Sequence, residues 1–209
     1  MIIAVDGPAA AGKGTLARKL AAHLGFHFLD TGALYRMVAM AVLDKGLMPE
    51  NAEAAIHAAE ALDPARFNDD DLRNEYVGSA ASVISAHPAV RAALLAFQRD
   101  FAARVPGAVL DGRDIGTAVC PDAEVKLFVT ASPEVRARRR FIELQLRKAG
   151  DASFDEVLAD IKTRDERDRT RASAPLVPAA DAAVIDTTDM NAAEVFGVAL
   201  EIVNGRDVR

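Results

Sequence analysis

One stretch constrains this chain more than any other: Met1-Ile2-Ile3-Ala4-Val5-Asp6-Gly7-Pro8-Ala9-Ala10-Ala11-Gly12-Lys13-Gly14-Thr15. Residues 2–5 are apolar and rich in β-branched side chains, so they read as a buried strand. Leu16, Leu20 and Leu24 then recur at helical spacing, with Arg18 and Lys19 turned to water. Between strand and helix lies Gly7-x-x-x-x-Gly12-Lys13, the spacing of a phosphate-binding loop. Its glycines let successive backbone N–H groups point inward at an anion, and the helix start behind them adds partial positive charge. Lys13 would reach the terminal phosphates. The hydroxyl that usually follows the lysine is displaced by Gly14, and Thr15 comes next.

The rest of the chain agrees with an α/β enzyme built on that loop. A length of 209 residues permits one α/β domain with insertions and a core that needs no staples. A net charge of −6 argues against non-specific binding to nucleic acid or to an anionic membrane. Cys120 is the one cysteine, so no internal disulfide can form and a reducing, cytoplasmic setting is expected. Its neighbours suit a packed residue better than a nucleophile. No basic region precedes the short N-terminal apolar stretch, and no apolar run is long enough to span a bilayer.

Read in order, the chain alternates strands and helices. Gly25 ends the first helix and residues 26–29 form a second strand. Asp30-Thr31-Gly32 opens a helix over 33–45, with Asp30 or Thr31 as N-cap. Another helix covers 52–61, and residues 63–71 carry turn chemistry without periodicity, hence a loop. Residues 75–86 and 90–103 are helical, separated at Pro88. A short strand at 108–110 is closed by Asp111-Gly112-Arg113-Asp114. A strand at 124–129 precedes a long helix that Ser132-Pro133-Glu134 caps and that runs to about 148. A helix over 154–171, a Pro-punctuated connector, a strand at 183–185 and a helix over 192–203 complete the chain. Strands separated by helices imply right-handed parallel crossovers and a ligand site off the carboxyl ends of the strands.

Polar residues gather where strands hand over to helices. Asp30-Thr31-Gly32-Ala33-Leu34-Tyr35-Arg36 follows the second strand, and Asp111-Gly112-Arg113-Asp114 the third. Asp111 is placed either to shape a turn or to hold the water shell of Mg²⁺, which keeps several waters in phosphate sites. Arg136, Arg138, Arg139, Arg140 and Arg147 lie on one helix, where Glu134 and Glu143 can screen part of the charge. That run is either a solvated face or a phosphate clamp. On the helix over 154–171, Arg164, Asp168 and Arg171 share a face with Arg167 beside them. Asp165 and Arg169, four apart on another face, read as a surface ion pair. A phosphate-binding loop, several arginine-bearing segments and no evident nucleophile suit phosphoryl transfer, where positioning and cations do most of the work. A phosphate acceptor is already ionised near neutral pH and needs no strong base, and planar guanidiniums grip it bidentately.

Four motifs carry a resemblance to the bacterial cytidylate kinases that extends over nearly the whole chain. They are Gly7 to Thr15 with its Gly-Lys-Gly-Thr ending, Leu29-Asp-Thr-Gly-Ala-Leu-Tyr-Arg36, Asp111-Gly-Arg-Asp-Ile-Gly-Thr117, and Arg164-Asp-Glu-Arg-Asp-Arg-Thr-Arg171 followed by Ala-Ser-Ala-Pro-Leu. The resemblance implies ATP-dependent phosphorylation of CMP and dCMP with Mg²⁺. It implies that Gly7, Pro8, Ala9, Ala10, Ala11, Gly12, Lys13, Gly14 and Thr15 hold the ATP phosphates, and that Arg139 and Arg140 close over ATP. Arg36, Arg113 and Arg171 would clamp the acceptor phosphate and act with Lys13 in catalysis. Ser82, Arg91 and Asp114 would read cytosine, Arg164 and Asp168 would contact the ribose, and Thr31 and Tyr35 would flank the CMP pocket. Asp111 would hold Mg²⁺ through water, with Thr15 as a further candidate ligand. Read without the resemblance, Ser82 and Arg91 belong on a helix surface.

The implied architecture is a three-layer α/β/α phosphate-loop kinase of one domain, residues 1–209. It contains a five-stranded parallel sheet, a monophosphate-binding insert including 62–104, and a short lid over about 133–150. Two departures from the family pattern stand out. Ala9 and Ala10 replace the small polar residue and glycine common in the loop. About five residues separate Phe67 from Leu72-Arg73, too few for the small antiparallel sheet of the long family form, so the insert is expected to be mainly helical. The competing readings are a kinase for UMP, AMP or shikimate and a nucleotide-dependent switch. Asp-Gly-Arg-Asp differs from the Asp-Gly-Phe-Pro-Arg of adenylate kinases, and no Asn-Lys-x-Asp guanine reader is present. ATP and CMP or dCMP are the expected partners, with no nucleic acid or membrane and a monomeric chain.

Overall fold

The computed structural model describes residues 1–67, 72, 75–147 and 152–206. Five strands form one parallel sheet: β1 (Ile2–Asp6), β2 (His27–Asp30), β3 (Ala108–Gly112), β4 (Val125–Thr130) and β5 (Ala183–Asp186). Their order is β2-β3-β1-β4-β5, so the N-terminal strand is central. Ile3, Ala4, Val5, Val109 and Leu110 are fully buried, as expected of strands covered on both faces. The register sets Val5 beside Asp111, and Asp111 beside Asp30. Carboxylates thus line one end of the sheet, where the neighbours of β1 diverge and a crevice opens.

One face is covered by α1 (Lys13–Leu24) and α8 (Ala192–Arg206), which bury Leu16, Leu20, Ala199 and Val203 against Ile3, Val5 and Leu127. Each such fully buried leucine contributes about 1.5–3 kcal/mol relative to leaving it in water. The other face packs Ala4, Ala108 and Leu110 against Ile115, Val119 and Cys120. A second apolar core lies off the sheet among α2 (Thr31–Leu43), α3 (Ala52–Glu60), α4 (Glu75–Ile84) and α5 (Pro88–Ala102), around Leu34, Val38, Leu72, Ile84 and Leu94. A third, smaller one joins α6 (Pro133–Arg147) to α7 (Phe154–Thr170) through Ala137, Leu144, Val157 and Ile161.

Local chemistry accounts for most boundaries. Gly25 ends α1 in the left-handed region, φ 68°, where a Cβ would be strained. The Asp30 carboxylate accepts the Ala33 N–H at 3.1 Å and starts α2. Ser153 and Glu156 form a reciprocal capping box on α7. Some expectations need correction. Two helices do part near Pro88, but the break lies at residues 85–87 and Pro88 itself begins α5, where its missing N–H is no loss. Residues Pro64–Arg66 make one 3-10 turn capped by Asp63 rather than an irregular loop. Strand β3 continues through Asp111 and Gly112, because both pair with β1. The wide helical turn Ile115–Val119 left no periodic trace in so short a segment. Among the described residues between 62 and 76 there is no strand. Residues 68–71, Arg73 and the 148–150 end of the expected lid lie outside the described residues, as does the side chain of Arg147. No single described helix is long and apolar enough to cross a membrane.

Candidate functional site

The phosphate loop owes its shape to two close approaches. Gly7 has φ 145°, and a Cβ there would lie 1.9 Å from the Val129 carbonyl oxygen. Gly12 takes φ 93° as it turns the chain into α1. Ala10 stands at φ 58°, a left-handed conformation that costs an alanine about 1–2 kcal/mol relative to glycine. This alanine occupies one of the two loop positions noted as departures. Gly7, Pro8 and Ala11 are buried beneath the loop. Ala9, Ala10, Gly12, Lys13, Gly14 and Thr15 line the cavity above it.

That cavity, of about 840 Å³, runs along the carboxyl end of the sheet to α4 and α7. Lys13 is buried at its floor, donates to the Pro8 carbonyl at 2.7 Å and lies 4.0 Å from the Asp111 carboxylate. Burial, followed by the Arg113 charge, lowers the ammonium pKa to about 8. Burial also raises Asp111 to about 6, against the opposing pull of Lys13. The Oδ1 of Asp111 is buried and accepts no hydrogen bond, so it suits a cation or its bound water. The described residues contain no cluster of three or more metal ligands. An ion held here would therefore draw most of its shell from phosphate oxygens and water, as Mg²⁺ does. Thr15 is exposed on the same wall, and Thr31 donates to the Asp111 carbonyl at 2.8 Å.

The opposite wall is built from guanidiniums, each with a carboxylate already beside it. Arg36 donates to Asp30 at 2.6 Å, and Arg113 to Asp168 at 3.0 Å. Asp114 accepts from both Arg91 and Arg171. Burial and then the neighbouring Arg91 charge depress the Arg171 pKa, the electrostatic mark of cations crowded around one carboxylate. Arg91 also lies over the Tyr35 ring, 5.6 Å from its centroid. Arg91 is 9 % exposed and faces the cavity, which overturns its placement on a helix surface. Ser82 is half-buried on the same wall and accepts a hydrogen bond from Arg167 at 2.8 Å. Arg36, Arg113, Arg171, Thr31, Tyr35, Ser82, Arg91, Asp114, Arg164 and Asp168 all line the cavity that holds Lys13.

The arginine run on α6 divides into three fates. Arg136 is buried, holding Asp165 bidentately at 2.5 and 3.0 Å and the Ala9 carbonyl at 3.2 Å. It braces the phosphate loop from behind. Arg138 is exposed. Arg139 and Arg140 reach the cavity, Arg139 while donating to Thr187 and Arg140 while paired with Glu75 and Glu143. The expected surface pair of Asp165 with Arg169 does not form. Asp165 is taken by Arg136, and Arg169 pairs with Glu166 at 2.7 Å, because α6 packs on that face of α7.

Sequence reasoning passed over two acids at this site. Asp6 is 6 % exposed and accepts the Ile115 and Gly116 N–H groups, each at 2.8 Å, fixing the turn that follows Arg113 and Asp114. Burial raises its pKa to about 6. The available signal was an acid directly after a fully apolar strand. Glu75 accepts from Arg140 and from Arg164, the latter at 2.7 Å, and so ties α4 to α6 and α7. No local pattern marks it.

The family described as Cytidylate kinase matches residues 3–205. The chain is 57 % identical to a cytidylate kinase of Rhodopseudomonas palustris over 204 residues, covering 97 % of this chain and 95 % of the relative. It is 59 % identical to one of Rhodospirillum rubrum over 208 residues, covering 97 % of each. Among solved structures, an uncharacterized protein from Eubacterium ventriosum is similar in fold, with a TM-score of 0.53, 15 % identity and coverage of 100 % and 99 %.

Proposed function

The chain belongs to the cytidylate kinase family, and from that premise we propose that its cleft moves the terminal phosphoryl group of ATP to CMP or dCMP, leaving ADP and CDP or dCDP. The observation that carries this reading is the convergence of Lys13 with Arg36, Arg113 and Arg171 on one cavity beside the phosphate loop. Backbone N–H groups of the Gly7 to Thr15 loop, Pro8 having none, seat the donor phosphates. Lys13 follows the charge as it migrates. Arg36, Arg113 and Arg171 hold the acceptor phosphate in line with the donor, which removes much of the entropic barrier. Their fixed charges stabilise the transition state without needing to reorganise. No covalent enzyme intermediate is required, since the acceptor oxygen is already ionised.

At the far end, Asp114, Arg91 and Ser82 read the base, Tyr35 and Thr31 flank it, and Arg164 and Asp168 contact the ribose. Mg²⁺ brought in with ATP would neutralise charge on the phosphate oxygens, with Asp111 on its water shell and Thr15 as a further candidate ligand. Arg139 and Arg140 approach ATP when the segment over 133–150 closes as a lid, while the insert including 62–104 closes over CMP. Pro133, the first residue of α6, is one hinge boundary. Closure would exclude water and suppress hydrolysis. The described residues assigned to donor and acceptor all come from one chain, which suits a monomer working as a single kinase domain. The lone buried Cys120 suits the cytoplasm.

The test is acceptor dependence. ADP release from ATP should rise manyfold when CMP or dCMP is added, with UMP weaker and AMP inert. Steady hydrolysis that ignores every acceptor would instead indicate a switch, and a preference for AMP or UMP would reassign the substrate.

A further inference from the structure

Ser82 stands on the acceptor wall with its hydroxyl already engaged: Arg167 donates a guanidinium N–H to Ser82 Oγ at 2.8 Å. Arg167 is half-buried on α7 and does not line the cavity, so it reaches Ser82 from behind the wall. Its hydrogen bond to that hydroxyl is a direct link from Arg167 to a cavity-lining group. The nearby Ser85 hydroxyl does not compete, because it donates to the Ser82 carbonyl at 3.0 Å. A serine hydroxyl has one O–H donor and two acceptor lone pairs. With one lone pair taken by a cation, the oxygen is a poorer acceptor and its O–H a stronger donor. The same cavity presents Asp114, a carboxylate that only accepts.

We propose that Arg167 is a positioning residue for base choice: it turns the Ser82 O–H as a donor into the cavity that the accepting Asp114 carboxylate also lines. The proposal rests on the CMP-kinase reading and adds a device to it. A cytosine edge offers an accepting ring nitrogen next to a donating amine, which complements donor and acceptor. A uracil edge offers the reverse, a donating ring N–H next to an accepting oxygen. Uracil would therefore meet donor with donor and acceptor with acceptor, and leaving buried polar groups mispaired is the effective way to reject a near-isostere.

The experiment measures kcat/KM for CMP and for UMP at saturating ATP in the full chain. Arg167→Met should lower the CMP-over-UMP ratio about tenfold, mainly through the KM for CMP, while the KM for ATP stays within about twofold. Arg167→Lys, which keeps one cationic N–H donor, should hold the ratio within about threefold of the parent. In a Ser82→Ala background, Arg167→Met should leave the ratio unchanged, because the hydroxyl it acts through is gone. Should Arg167→Met fail to fold by circular dichroism, Arg167→Gln carries the same comparison. Equal losses for CMP and UMP would overturn the proposal, reducing Arg167 to a tie between helices. So would a further fall of the ratio in the Ser82→Ala background. A parent chain inactive on both acceptors would sink the CMP-kinase reading itself, whereas a parent active on CMP with a ratio indifferent to Arg167 sinks only this inference.

Discussion

The two walls of the cleft handle negative charge by different means. On the proposed donor wall, the seat is main chain: a loop of consecutive residues between β1 and α1, held by the central strand and braced from behind by Arg136. On the proposed acceptor wall, the seat is made of side chains from α2, α5, α7 and the turn after β3, brought together from distant parts of the chain. Backbone amides carry only partial charge and can wait in the cavity with little desolvation penalty. Guanidiniums carry full charge, and several of them buried together would repel. The structure answers with counter-ions: Asp30 for Arg36, Asp168 for Arg113, and Asp114 for Arg91 and Arg171. A buried cation left alone costs several kcal/mol, so these carboxylates keep the wall assembled before any acceptor arrives. The donor wall thus depends on backbone shape, and the acceptor wall on charge balance.

The largest expected break falls on backbone shape. Gly7→Ala would drive a Cβ to 1.9 Å from the Val129 carbonyl oxygen, and the sheet must shift to admit it. We expect a loss on the order of 4 kcal/mol or more in denaturant unfolding, with ATP binding lost alongside. A retained melting temperature would show that the loop is more pliable than this wall requires.

The acceptor wall should lose turnover well beyond what it loses in stability, although Arg113→Ala also leaves the buried Asp168 without that partner. Arg113→Ala and Arg171→Ala should each lower turnover with CMP by about 10²–10³, roughly 2.7–4 kcal/mol of transition-state stabilisation. The KM for ATP should change little. If either variant loses ATP and CMP affinity equally, the division into two walls fails.

Asp6 sharpens the contrast because it is a buried carboxylate with backbone partners only. Its folded pKa, about 6, exceeds the ordinary 3.8, so the folded state binds this proton more readily than the unfolded chain does. The stabilising contribution is full below the ordinary value and is lost as pH rises through about 6. The wild type should therefore gain on the order of 1 kcal/mol relative to Asp6→Asn between pH 7 and pH 5, read from paired denaturant titrations. A constant difference across that window would contradict the burial argument.

The smallest effect belongs to Ala10. Its φ of 58° strains an alanine, while glycine would relieve the strain at an entropic cost in the unfolded chain. Ala10→Gly should raise stability by about 0.5 kcal/mol, a shift of a degree or two in Tm. A destabilised variant would mean that the alanine methyl is packed to advantage.

The same contrast explains what could be read in advance. The first strand, loop and helix were legible because all their parts are contiguous: strand, glycines, lysine and helix follow one another within the first turns of the chain. The alternation of strands and helices was legible from periodicity, and the caps at Asp30 and Gly25 from local chemistry. The pairing of Asp165 was misjudged because spacing along α7 cannot say which helix packs on it. Arg91 pointed to solvent on local sequence for the same reason. Glu75 gave no sign at all, since Arg140 and Arg164 lie more than sixty residues away from it.

By itself the sequence determined the phosphate loop, the parallel α/β layering and the presence of arginines at strand ends, because backbone conformation and periodic burial are properties of neighbouring residues. Which carboxylate neutralises which guanidinium, which arginines brace the loop rather than face the cavity, and how Ser82 is held were decided only when α4, α6 and α7 packed together. Charge pairing acts through space over a few ångströms, and the chain brings those partners within reach only once its apolar cores have closed.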